Sequence, residues 1–123
     1  MPLYPKWAAF AENELLTAEI LMRECIHNQV CFHAQQSVEK YLKGSIPPAS
    51  RPRTHKIVDL LALTPIPLSE ELQRDLRRLD RFYIPSRYPH ALPGTLEEGM
   101  PTRKDAESAL EAALSLKIAA QRI

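Results

Sequence analysis

The stretch Arg81–Gly94, RFYIPSRYPHALPG, concentrates the groups of this chain best suited to grip an anion or to flank a flat ring. An arginine presents a planar fork of donors that matches phosphate or carboxylate. A histidine changes charge near neutral pH and can pass protons. Arg87 and His90 are therefore the candidate catalytic pair, and Tyr83 and Tyr88 candidate walls of a binding pocket. Pro85 and Pro89 impose a non-helical path and restrict the residue before each of them. Within 72–88, Arg74, Arg77, Arg78, Arg81 and Arg87 outnumber Asp75 and Asp80, so the region is locally basic although the net charge of the chain is only +1.

A second set of polar groups stands on an apolar stripe. Placed at 100° per residue, the segment 29–46 lines up Cys31, Ala34, Val38, Leu42 and Ile46, and Gln35 falls inside that arc while Glu39 falls at its edge. A buried carboxylate needs a cation and a buried amide needs its hydrogen bonds. Lys43, one turn on, is the local partner in the favourable Glu-to-Lys order; Arg87 is the distant one. Glu39 either meets Lys43 alone at a solvent boundary or is also reached from the 81–94 segment. Among the histidines, His27 is expected to cap carbonyls at a helix end, His33 to be solvated, and His55 to follow an N-cap Thr54. The candidate ligand-binding set is Gln35, Glu39, Lys43, His55, Tyr83, Arg87, Tyr88 and His90.

Other chemistries find no support. Cys25 and Cys31 have no second pair to complete a zinc site and read as buried, reduced thiols. None of the four histidines lies one helical turn from another ligand type in a way that suggests metal, so neither metal nor cofactor is expected. There is no Gly-x-Ser-x-Gly elbow, and the three glycines, Gly44, Gly94 and Gly99, form no phosphate-binding loop. The first residues lack the basic start and apolar run of a signal peptide, and no stretch reaches membrane-span length. A cytoplasmic location and no membrane partner are expected.

The elements that must position these residues are helical. At 123 residues, with 45% apolar and 25% charged residues, the chain fits one soluble globular domain spanning 1–123. Trp7, Phe10, Ala11, Leu15, Ala18, Leu21, Met22 and Cys25 recur at spacings of three and four, predicting a helix from Pro5 to about His27. The second helix stops at Pro47-Pro48. A short helix follows through Ile57, Leu60 and Leu61. Ser69 ahead of Glu70 and Glu71 starts another, and Thr102 with Asp105 forms a capping box for the last, with Ala106, Ala109, Leu110, Ala113, Leu114 and Ala120 on its inner face. The expected fold is all-α, an up-and-down bundle of four to five helices. Apolar bulk beyond the stripes, in Trp7, Phe10, Phe32, Tyr41, Phe82 and Ile84, predicts a homodimer.

Three blocks, CFHAQQSVEKYLKG at 31–44, RTHKIVDLL at 53–61 and YIPSRYPHA at 83–91, together resemble the HEPN family, in the branch encoded beside minimal nucleotidyltransferases. The resemblance implies a dimeric helical bundle linked to nucleotides or RNA. It also implies one of two roles: a metal-independent ribonuclease, or a nucleotide-binding or partner module for a minimal nucleotidyltransferase in a toxin–antitoxin-like pair. The family's ribonucleases separate their arginine and histidine by four to six residues. Here two residues separate Arg87 from His90, eight separate Arg81 from His90, and three lie between Arg51 and His55 and between Arg23 and His27. The expectation is a nucleotide-binding interaction module; a ribonuclease using Arg87 and His90, or a purely structural dimeric scaffold, is the alternative.

Overall fold

The computed structural model describes residues 3–83 and 99–122. Five α-helices carry the fold: α1 (Pro5–Arg23), α2 (His27–Ser45), α3 (Ile57–Leu61), α4 (Glu70–Arg77) and α5 (Arg103–Gln121). Two 3₁₀ turns, Pro48–Ser50 and Arg78–Phe82, complete it, and no strand occurs among the described residues. The all-α bundle read from the periodicity is the fold observed.

Helix α2 is the centre of the molecule. It packs along α1 and α5, and it also meets α3 and the Arg78–Phe82 turn. Its expected stripe of Cys31, Ala34, Val38, Leu42 and Ile46 is buried, joined by Val30 and Tyr41. Helix α5 answers with small residues: Ala106, Ala109, Ala113 and Ala120 are buried, and only Leu116 among its leucines is fully so. Leu110 and Leu114 are only partly buried. Small side chains on that face let two long helices approach closely, and one continuous core results.

The helix starts are set by side chains the sequence displays. Ser69 Oγ accepts the Leu72 N–H at 3.1 Å, and Thr102 and Asp105 form the reciprocal capping box. Gly44 marks a close approach. Tyr4 N–H donates to its carbonyl at 2.9 Å, and a Cβ at this position would stand 2.8 Å from Trp7 Cβ. The N-terminus of α1 is thus held against the last turn of α2.

Four expectations are corrected. Helix α1 ends at Arg23 rather than near His27. Cys25 N–H bonds to Met22 O and Ile26 N–H to Leu21 O, both at 3.1 Å, with Cys25 at φ 59°; this is a Schellman closure made without glycine. Cys25 is consequently exposed, while Cys31 is buried as expected. Phe10 is 46% exposed rather than on the inner face. Of the aromatic surplus assigned to a dimer face, Tyr41 and Phe82 lie in the core.

Candidate functional site

Gln35 and Glu39 are one helical turn apart on α2 and both are buried, at 0% and 3% exposure. They hold the same residue of the following loop. Gln35 Nε2 donates to the His55 carbonyl at 3.3 Å, and Glu39 Oε2 lies 3.2 Å from His55 Nδ1. Gln36 Nε2 donates to Gln35 Oε1 at 2.7 Å, satisfying the amide.

Glu39 also meets Lys43, whose Nζ donates to Oε2 at 3.0 Å. The pair is buried, with side-chain exposures of 8% for the lysine and 5% for the glutamate. It is therefore neither at a solvent boundary nor limited to Lys43. Lys43 and His55 approach the same carboxylate oxygen, and the other, Oε1, is buried with no hydrogen-bond partner among the described residues. A buried acceptor left unmet costs free energy.

The far side of His55 is set by the Arg78–Phe82 turn. Asp80 Oδ1 accepts the Ile57 N–H at 2.7 Å and Oδ2 the Val58 N–H at 3.1 Å, so a residue distant in sequence caps α3. Thr54, the expected cap, instead donates to Asp59 Oδ2 at 2.7 Å and accepts from Lys56 N–H; the residue in the N-cap position is Lys56. Burial holds the Asp80 carboxyl above the ordinary aspartate range, although the two backbone bonds pull it down. One residue past the same turn, the Tyr83 ring stacks on His55 with centroids 5.2 Å apart and planes 23° from parallel. His55 remains 54% exposed.

A cationic rim surrounds this arrangement. Arg51 Nε and Nη2 donate to the Lys43 and Ile46 carbonyls, both at 2.8 Å, closing the C-terminus of α2. Its guanidinium lies 5.0 Å from the Trp7 ring and 5.3 Å from that of Tyr4, and Lys43 Nζ lies 5.8 Å from Trp7. Arg53 and Lys56 flank His55 in sequence, are exposed, and form no ion pair with an acid among the described residues. Sequence reading does not place Arg51, Arg53, Lys56 or Trp7 at the site. The one signal for the three cations is the basic composition of RPRTHK, which reads equally well as an ordinary loop.

Of the expected ligand-binding residues, the structure brings together Gln35, Glu39, Lys43, His55 and Tyr83. Arg87, Tyr88 and His90 lie outside the described residues. His27 starts α2 instead of closing α1, so it caps no carbonyls there, and its Nε2 is buried without a partner among the described residues. His33 is not simply solvated: Nδ1 lies 3.0 Å from Glu14 Oε1, and Lys40 Nζ donates to Glu14 Oε2 at 2.8 Å. Among the described residues no three His, Cys, Asp or Glu side chains are grouped to hold a metal.

The arrangement is a stacked imidazole–phenol platform, open on the histidine side, with a carboxylate behind it that has one oxygen unmet among the described residues, and exposed cations next to the histidine in sequence. Such a set suits a planar, anionic ligand. Comparison with known proteins agrees with the bundle around it. Residues 4–120 match the HEPN domain model, and the chain belongs to the HEPN domain family. It is similar to TT1696 from Thermus thermophilus at 31% identity, TM-score 0.77, covering 99% of this chain and 98% of that one. It is also similar to ST0689, an archaeal HEPN homologue, at 27% identity, TM-score 0.74, with coverage of 99% and 98%. No curated protein matches the sequence.

Proposed function

We propose that this chain is a nucleotide-binding and interaction module that acts with a separately encoded minimal nucleotidyltransferase, as one half of a toxin–antitoxin-like pair. The observation that carries the ligand half is the convergence of Gln35 and Glu39 on His55, with Tyr83 stacked on the ring. The resemblance of three sequence blocks to the nucleotidyltransferase-associated branch supports the partner half. In this reading Arg87 and His90 contact the ligand phosphates and Tyr88 lines the pocket, while Arg53 and Lys56 add charge. The protein works as a cytoplasmic homodimer. Among the described residues no helix is long and apolar enough to cross a membrane. Leu16 and Ile20 on α1 and Ile118 on α5 are 46–55% exposed and offer apolar surface for a second copy.

Titration calorimetry of the folded protein with ATP, GTP and a short RNA tests the ligand half. Heat with a nucleotide supports it, and no heat with any of the three removes it. Light scattering at micromolar concentration tests the dimer, which a monomer mass would overturn.

The ribonuclease reading keeps one observation in its favour. A histidine whose Nδ1 is held by a carboxylate has its other nitrogen available for proton transfer. Expression of the chain without its neighbouring gene separates the two. Harmless expression favours the module, and growth arrest relieved by Arg87→Ala, His90→Ala or His55→Ala favours the nuclease.

A further inference from the structure

The orphaned oxygen of Glu39 narrows the ligand. Gln35 is satisfied at both ends, and Lys43 and His55 share Glu39 Oε2. Oε1, by contrast, is buried and unmet among the described residues, and as a carboxylate oxygen it can only accept. A ligand that completes this site therefore brings a hydrogen-bond donor, and a charged acceptor makes that bond stronger than a neutral one.

We infer that the site selects a nucleobase carrying an exocyclic amine, which donates to Glu39 Oε1 while the ring lies against the His55–Tyr83 pair. This rests on the nucleotide-binding reading and specifies its ligand. Stacking on the pair is indifferent to base identity, since every base has a π face. Discrimination falls to Glu39, because a site built to hydrogen-bond one ligand rejects an analogue that leaves a buried group unpaired. Oε1 presents almost no surface to solvent, so entry requires a side chain to move. His55, half exposed and tied to Glu39 by one bond of 3.2 Å, is the group with room to do so. Arg53 and Lys56, exposed beside it, meet the phosphate.

The experiment uses the full chain and three pairs of monophosphates that differ by one amine. These are GMP against IMP, AMP against purine riboside monophosphate, and CMP against its 4-desamino analogue, all measured by calorimetry. At least one amine-bearing member should bind about ten-fold or more tightly than its partner, as expected for a bond to a charged, desolvated acceptor. Glu39→Gln should reduce that preference below about three-fold. The comparison within each pair is made on the wild-type protein, so it stands even if the variant does not fold. Equal affinity within every pair overturns the inference and leaves nucleotide binding intact, whereas no binding of any member by folded protein removes the underlying reading. A strong energetic coupling between Glu39 and Arg87 in ligand-free protein would also overturn the inference, because Oε1 would then already be filled from within the chain.

Discussion

Asp80 receives the backbone N–H groups of Ile57 and Val58 on its two carboxylate oxygens, at 2.7 and 3.1 Å. One side chain thus starts α3 and ties the Arg78–Phe82 turn to the loop that carries His55. Tyr83, which stacks on His55, leaves from the same turn. The two sides of the candidate platform are therefore positioned by one carboxylate. Replacing it should loosen stability and ligand affinity together.

The expected cost of Asp80→Ala is about 1–2 kcal/mol, the upper range for a lost N-cap, because two donors lose their acceptor. Urea melts measure it, and a change below about 0.3 kcal/mol would show that the cap is dispensable. The pH dependence has a defined sign. Burial raises the folded-state pKa of Asp80, so its ionisation opposes folding above that value and the opposition fades as pH falls below it. Asp80→Asn should remove this dependence.

Glu14 runs the other way. Burial pushes its carboxyl up, but the hydrogen bonds from His33 and Lys40, with their charges, outweigh burial and hold it below the ordinary glutamate range. The unfolded chain has a glutamate pKa of about 4.3. The stabilisation that Glu14 provides is complete above that value and is lost as pH falls through the lower, folded-state pKa. Melts of wild type and Glu14→Gln across this acid range should converge as pH drops. A gap that stays constant would mean that Glu14 contributes by packing alone.

Gly44 allows α1 and α2 to meet, and its replacement would create a specific clash. A Cβ would sit 2.8 Å from Trp7 Cβ, which belongs to the stiff base of a side chain and not to a flexible end. Gly44→Ala should therefore destabilise by about 1–3 kcal/mol despite the better helix propensity of alanine. A variant as stable as wild type would show that the N-terminal turn of α1 can shift without loss.

What is legible in the sequence is local. The stripe on α2, the Ser69 cap and the Thr102–Asp105 box each depend on residues within a turn or two of one another. The anomaly of Gln35 and Glu39 on an apolar arc is legible for the same reason, and so is the Lys43 partner. His55, the residue that both grip, stands out in the sequence as a candidate but without this contact. It comes from a loop 16 and 20 positions away, and no periodicity encodes that contact. Asp80 reads as an acid offsetting arginines, whereas its oxygens are committed to α3. The end of α1 is hidden because Cys25 occupies the left-handed position where glycine is the usual signal.

The two cysteines should differ sharply in reactivity. Burial pushes the Cys31 thiol up to about 12, and its side chain is enclosed. Cys25 is exposed just past the end of α1. Since the thiolate is the nucleophile, a neutral-pH alkylating reagent should modify one thiol per native chain quickly, and that thiol should be Cys25. Modification of Cys31 would then report opening of the α2 core. Equal labelling rates, read by mass spectrometry, would show that α2 opens locally without global unfolding.

The buried pair supplies the sharpest stability test. Had Glu39 and Lys43 been exposed, separating them would cost about 0.3–0.5 kcal/mol, as for other pairs one turn apart on a helix. Their side chains are only 5% and 8% exposed. Lys43→Ala strands a carboxylate whose remaining partner among the described residues is a half-exposed imidazole, and the expected cost rises to about 3–5 kcal/mol. Glu39→Gln alone should cost less, because Lys43 still faces an amide oxygen and the Trp7 ring. The double variant should fall well short of the sum, giving a coupling of at least about 1 kcal/mol between the two positions. Arg87→Ala serves as the comparison. If Glu39 couples to Lys43 and not to Arg87, the arginine is free for a ligand, and Arg87→Ala should lower nucleotide affinity while leaving the urea midpoint in place. If instead Arg87→Ala lowers the midpoint as far as Lys43→Ala does, the arginine serves the fold and its assignment to the phosphates fails.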